Sequence, residues 1–119
     1  SLSRRTNVNR SRNNMLIQEQ NRNQTLQQLQ SDIRKAVDDC QGYAKQYEQM
    51  KKRVEANQLA YDVMRRKYEE GLVSPLDLQT SANLLLSAKA DQLKTKLDYI
   101  IQCRLVKYYK GIPLIEQLQ

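Results

Sequence analysis

The stretch Tyr68-Glu69-Glu70-Gly71-Leu72-Val73-Ser74-Pro75-Leu76-Asp77-Leu78 stops one helix and starts another within a few residues. Gly71 follows directly on a helical pattern, where the chain must turn left-handed and a residue without Cβ does so at least cost. Ser74 supplies an N-cap hydroxyl. Pro75 takes the first helical position, where a missing N–H is harmless, and Asp77 at the third completes a carboxylate version of the capping box. Val73 before the cap and Leu78 at the fourth helical position form a hydrophobic staple that sets the direction of the second helix. Together they predict a hairpin that bends near residue 72.

Upstream of the bend, apolar or small residues recur in steps of three and four: Leu26, Leu29, Ile33, Ala36, Cys40, Tyr43, Tyr47, Met50, Val54, then Asn57, Tyr61, Met64 and Tyr68. This is a heptad seam with one polar break, and Asn57 reads as a register-fixing residue. Val37, Ala44, Ala56, Ala60 and Val63 form a second line, so the stripe is wide enough for neighbours on two sides. Downstream, Leu78, Ala82, Leu85, Leu86, Leu93, Leu97, Ile100 and Ile101 mark the seam of a returning helix, with small Ser87, Ala88 and Ala90 midway. Gly111 stops that helix and Pro113 follows. Folding the two lines about the bend sets Tyr68 against Leu78, Met64 against Ala82, Tyr61 against Leu85, Val54 against Leu93, Met50 against Leu97 and Tyr47 against Ile100.

The expected fold is therefore all-α: a long antiparallel two-helix coiled-coil hairpin with unequal arms at about residues 7–70 and 75–110. A tip turn at 71–74 joins them and a C-terminal extension at 111–119 follows. At about 1.5 Å per residue the arms are roughly 95 Å and 54 Å long. The shorter arm reaches back only to about Ala36, which leaves some 30 residues rich in Asn, Gln and Arg without a partner. Such a helix is marginal in water, so another element is expected to cover it.

Composition agrees. The 119 residues include 3 Gly, 2 Pro and no Trp, Phe or His, which suits long helices with few corners. No run approaches the roughly 20 apolar residues of a membrane-spanning helix. The opening Ser1-Leu2-Ser3-Arg4-Arg5 has neither an initiator Met nor a leader pattern, and reads as the start of a piece of a larger chain.

The run Ala56-Asn57, Ala60-Tyr61 and Tyr68 through Leu78, continued by Leu86, Ala90, Leu97-Asp98-Tyr99-Ile100 and Tyr109-Lys110-Gly111-Ile112-Pro113-Leu114, resembles the outer membrane efflux protein family, the TolC-like exit ducts. The closing Tyr-Lys-Gly-x-Pro-Leu is similar to the end of the helical repeat in members from Bacteroides-like bacteria, and favours the second of two repeats. The resemblance implies a homotrimeric parent in the cell outer membrane. Its helices would form a periplasmic α-barrel, of which this hairpin is one segment, in a tripartite efflux or secretion system. In such a family the long helix is matched by two shorter ones stacked end to end, one of which would lie upstream.

The same resemblance assigns roles at the bend. Glu70, Gly71, Leu72 and Val73 match the tip that docks a periplasmic adaptor (membrane fusion) protein, which links the duct indirectly to an inner-membrane transporter. The plainer alternative is a C-cap and a hairpin closure, and the two are compatible. Tyr68 and Asp77 match positions of a tunnel-entrance gate. Val73 and Thr80 stand where that gate would carry charges, so packing for Tyr68 and capping for Asp77 are the favoured roles.

The formal charge is +7, with clusters at Lys51-Lys52-Arg53 and Arg65-Arg66-Lys67. Acidic neighbours accompany both clusters and no groove-reading motif does, so solvated faces are expected rather than a nucleic-acid partner. Arg65, Arg66 and Lys67 also suit the negative end of the helix dipole. Cys40 and Cys103 lie at similar distances from the bend, offset by about three residues or roughly 4.5 Å. A disulfide and a pair of buried free thiols both remain open, the thiols being favoured. Without His, a paired CxxC or a Gly-rich phosphate loop, no enzyme, metal or cofactor is expected. A generic coiled-coil module such as an adaptor hairpin is the main alternative, and a basic nucleic-acid-binding helix pair the lesser one.

Overall fold

The computed structural model describes residues 1–119 and contains three helices: α1 (Leu2–Glu69), α2 (Pro75–Tyr109) and the short α3 (Leu114–Gln117). The fold is all-α, an antiparallel hairpin of two long helices of 68 and 35 residues. Helix α1 starts at Leu2, ahead of the expected Asn7. Nothing between them breaks a helix, since the first Gly is Gly42 and the first Pro is Pro75.

Residues Ser1–Lys35 form one structural unit and Ala36–Gln119 another. In the first unit every residue but Ile33 is exposed, including Val8, Met15, Ile17, Leu26 and Leu29. Leu26 and Leu29, expected to open the seam, are therefore outside it.

In the second unit the α1 seam follows the predicted line. Ala36 is buried, and Cys40, Tyr43, Tyr47, Met50, Val54, Asn57, Tyr61 and Met64 are half-buried. Tyr68 is 41% exposed, so the seam ends one step before it. Asn57 does not reach across to α2. Its Nδ2 donates to the Arg53 carbonyl one turn back at 3.0 Å, which satisfies the amide within its own helix and leaves register to other groups.

Helix α2 departs from expectation after Leu85. The face turned towards α1 runs Leu78, Ala82, Leu85, Ala88, Gln92, Thr95, Tyr99, Gln102, Val106 and Tyr109, all buried or half-buried. Ala88 is 0% exposed. Leu86, Leu93, Leu97, Ile100 and Ile101, expected in the seam, instead face water, with Leu93 at 58% and Leu97 at 50% exposure. The cause is a matter of volume. The α1 seam is bulky, with three tyrosines and two methionines between Tyr43 and Met64, and close-packed interiors set large groups against small ones. A second row of leucines would hold the helices apart, whereas Ala88 and Thr95 let them approach.

Register shifts with the face. Under the predicted pairing Arg53 would lie level with about residue 93 and Cys40 with about residue 106, at one residue of α2 per residue of α1. Instead Arg53 Nη1 meets Asp91 Oδ2 at 2.7 Å and the Cys40 and Cys103 sulfurs approach to 2.8 Å. Gln102 Nε2 also donates to the Ala36 carbonyl at 3.1 Å. At Arg53 and at Cys40, α1 thus meets α2 two or three residues earlier than predicted, which removes the expected offset between the cysteines.

Both long helices end alike. In Lys67-Tyr68-(x)2-Gly71-Leu72 the Gly71 N–H donates to the Tyr68 carbonyl at 2.9 Å and the Leu72 N–H to the Lys67 carbonyl at 2.8 Å. In Lys107-Tyr108-(x)2-Gly111-Ile112 the Gly111 N–H donates to Tyr108 at 2.9 Å and the Ile112 N–H to Lys107 at 3.1 Å. Each is a Schellman closure around a left-handed glycine, with φ of 76° at Gly71 and 92° at Gly111. After the second, α3 folds back on α2: Arg104 Nη1 donates to the Gln117 carbonyl at 2.8 Å, and Gln117 Nε2 donates to the Arg104 carbonyl at 3.1 Å.

Candidate functional site

The bend presents a small rigid surface whose backbone is fully committed. Gly71 closes α1, and a Cβ built on it would meet nothing within 4 Å, so the positive φ rather than crowding demands glycine there. Three residues on, the Ser74 hydroxyl accepts from the Asp77 N–H at 3.1 Å and the Asp77 carboxylate accepts from the Ser74 N–H at 3.2 Å. This reciprocal pair is the predicted capping box, with Pro75 at the first helical position. Val73 and Leu78, the predicted staple, are both half-buried. The turn is held at both ends, which leaves its side chains to define the surface.

Those side chains are unusually apolar for a corner in water. Leu72, ahead of the capping box, is 68% exposed, and Leu76, within it, is 73% exposed. Glu70 and Gly71 are exposed beside them, while Val73 is partly withdrawn into the staple. Leu76 is missing from the sequence-derived tip. It could have been found, because it lies off the Leu78, Ala82, Leu85 line and contributes neither to capping nor to the seam.

Around this apolar cap stands a collar of charge: Arg65, Arg66, Lys67, Glu69 and Glu70 are all exposed. Arg65 and Glu69 approach to 3.9 Å with more than half of each side chain in water, a pairing worth at most about 1 kcal/mol and easily exchanged for another partner. Tyr68 lies beside the collar outside the seam, so its hydroxyl is accessible. Asp77 already serves the capping box, although a carboxylate keeps acceptor capacity beyond one N–H.

A second exposed feature lies along the shaft. Leu86, Leu93, Leu97, Ile101 and Tyr108 form an outward apolar row on α2. The lysine cluster on α1 is partly engaged: Lys51 Nζ sits 4.9 Å from the centre of the Tyr47 ring and 3.4 Å from Glu48, and Arg53 pairs across to Asp91. No group of three or more His, Cys, Asp or Glu side chains converges as metal ligation requires. A surface hollow runs beside α1 between Ser3 and Asn23 and is lined by that one helix.

A capped glycine corner joining two unequal helices, with a second apolar row facing outward, is the arrangement on which comparison with known proteins bears. The family described as outer membrane efflux protein matches residues 2–105. The chain belongs to that family. Its members are efflux channels of the outer membrane, TolC-like transport proteins rather than enzymes. No curated protein and no solved structure matches the chain. None of its helices is long and apolar enough to cross a membrane.

Proposed function

We propose that this hairpin is a wall segment of the periplasmic α-barrel of an outer-membrane export duct, and that its tip docks a periplasmic adaptor. One observation carries the reading: α2 spends its small-residue heptad on α1 and turns a larger apolar heptad outward. The bulk of the α1 seam sets that choice, and it leaves Leu86, Leu93, Leu97 and Ile101 in water, apolar surface that a further neighbouring helix would cover. A barrel wall supplies that helix, because each helix there needs a neighbour on both sides. Family membership and the exposed helix at Ser1–Lys35 support the same arrangement, with the covering elements supplied by a homotrimer.

At the tip, Leu72 and Leu76 offer the apolar contact, and Glu70 with Gly71 offers exposed backbone and a charge for orientation. Val73 supports the turn from within. The adaptor in turn would join the duct to an inner-membrane transporter. Tyr68 and Asp77 stand at the barrel mouth in this reading and are candidates for an entrance gate of low charge, since Val73 and Thr80 carry none.

Gly71→Trp tests the docking. In cells that assemble the duct, this variant is expected to lose co-purification with the adaptor and to lose export, while helicity and trimer formation persist. Co-purification at the wild-type level would remove the tip from the docking surface.

A further inference from the structure

Two thiols meet between the long helices. Cys40 on α1 and Cys103 on α2 are separated by 63 positions in sequence, yet their sulfurs stand 2.8 Å apart, compared with about 2.05 Å in a disulfide. Both are free and half-buried, so a small oxidant or an exposed redox loop reaches them from the open side of the hairpin. Neither contributes to the tip, and neither is the best filler for its place, since alanine would serve a thin two-helix seam equally well. Tyr99 lies one turn before Cys103 on α2, and that thiol pushes the Tyr99 hydroxyl up from its ordinary pKa.

We infer that Cys40 and Cys103 are a disulfide-forming pair that staples the returning helix to the long helix at the end of the hairpin far from the bend. The bridge locks the register that Arg53–Asp91 and Gln102–Ala36 hold only by polar contacts. It goes beyond the proposed docking role and is independent of it.

The oxidant is a second disulfide, that of a dithiol oxidoreductase or of oxidised glutathione. One cysteine, as thiolate, attacks an oxidant sulfur, forming a mixed disulfide and expelling one oxidant thiolate. The other cysteine, deprotonated in its turn, attacks the protein sulfur of that mixed disulfide, forming the Cys40–Cys103 bond and expelling the second thiolate. Two electrons pass from the cysteine pair to the oxidant, and the two protons are taken up by the thiolates released. Burial pushes the Cys40 thiol up to about 11, with the neighbouring Cys103 adding to the effect, so the reaction is slow near neutrality without a catalyst and quickens as pH rises.

The test is an intact mass and an unreduced tryptic digest of the folded chain after incubation with oxidised glutathione. The expected result is a monomer lighter by about 2 Da, the two hydrogens lost, with peptide Ala36–Lys45 joined to peptide Leu97–Arg104. Reduction should then lower the thermal midpoint by about 10 °C, as expected for opening a long cross-linked loop, and should leave the midpoint of a Cys40→Ser, Cys103→Ser variant unchanged. Two alkylatable thiols after oxidation, glutathione adducts alone, bridges only between chains, or a midpoint indifferent to reduction would each overturn the staple. The mass readout uses the unaltered chain and stands even where the double variant folds poorly.

Discussion

Gly71 and Cys40 show how single residues set the behaviour of the hairpin. At Gly71 the φ of 76° is forbidden ground for a β-branched side chain, while the space around it is empty. Gly71→Val is therefore expected to destabilise the chain by about 1–2 kcal/mol through backbone strain alone, measured as a lower urea midpoint with unchanged helical content. A loss of helix on the scale of the whole hairpin would show that more than one turn depends on it. Cys40 predicts a pH dependence for the reduced chain. Its pKa rises from the usual 9.0 to about 11 on folding, so folding favours the protonated thiol. The associated stability is fully present below about pH 9 and lost as pH climbs towards 11. Tyr99, pushed upward chiefly by the neighbouring Cys103 thiol, acts in the same sense. Cys40→Ala should flatten the alkaline decline in unfolding free energy, and an unchanged decline would exclude the thiol as its source.

The helices are where sequence and structure part company, and α2 shows why. The backbone of the bend was legible, because Gly71, Ser74, Pro75 and Asp77 act through local geometry that needs no partner, whereas exposed Leu76 was missed. The α1 seam was legible from Ala36 to Met64 because its tyrosines and methionines keep one heptad line across the polar break at Asn57, while Leu26, Leu29 and Tyr68 lie outside it. In α2 two heptads compete. One runs Leu85, Ala88, Gln92, Thr95, Tyr99 and Gln102, and the other runs Leu86, Leu93, Leu97 and Ile101. Hydrophobicity selects the second, and volume complementarity against a bulky α1 selects the first. The exchange makes a sharp prediction. Ala88→Leu should destabilise the hairpin by about 1–3 kcal/mol, since it overfills a fully covered site. Leu97→Asn should change stability by no more than about 0.5 kcal/mol, as an exposed position does. Urea unfolding of the two variants separates the registers, because the pairing of Met50 with Leu97 reverses the order.

At the scale of the whole molecule the shortage of self-made core is the governing fact. Only Ala36, Leu85 and Ala88 are buried, and Val8, Met15, Ile17, Leu86, Leu93, Leu97 and Ile101 remain in water. A chain so constituted relies on surroundings for stability, as a wall segment does. Backbone amides of residues 7–30 should accordingly exchange with solvent much faster than those of residues 80–100, by hydrogen exchange of the isolated chain. Comparable protection in both would mean that the N-terminal helix is self-sufficient. The low Gly and Pro content made the long helices legible, but the identity of their outer neighbours was not, because an exposed row of leucines does not name what covers it. Position 97 gives the most direct measurement. With a photo-reactive residue replacing Leu97 in the protein assembled in the outer membrane, cross-links are predicted to land on a helix other than its own α1. Cross-links to Tyr47 or Met50 of the same chain would contradict the account, since the outward row would then be the inner seam.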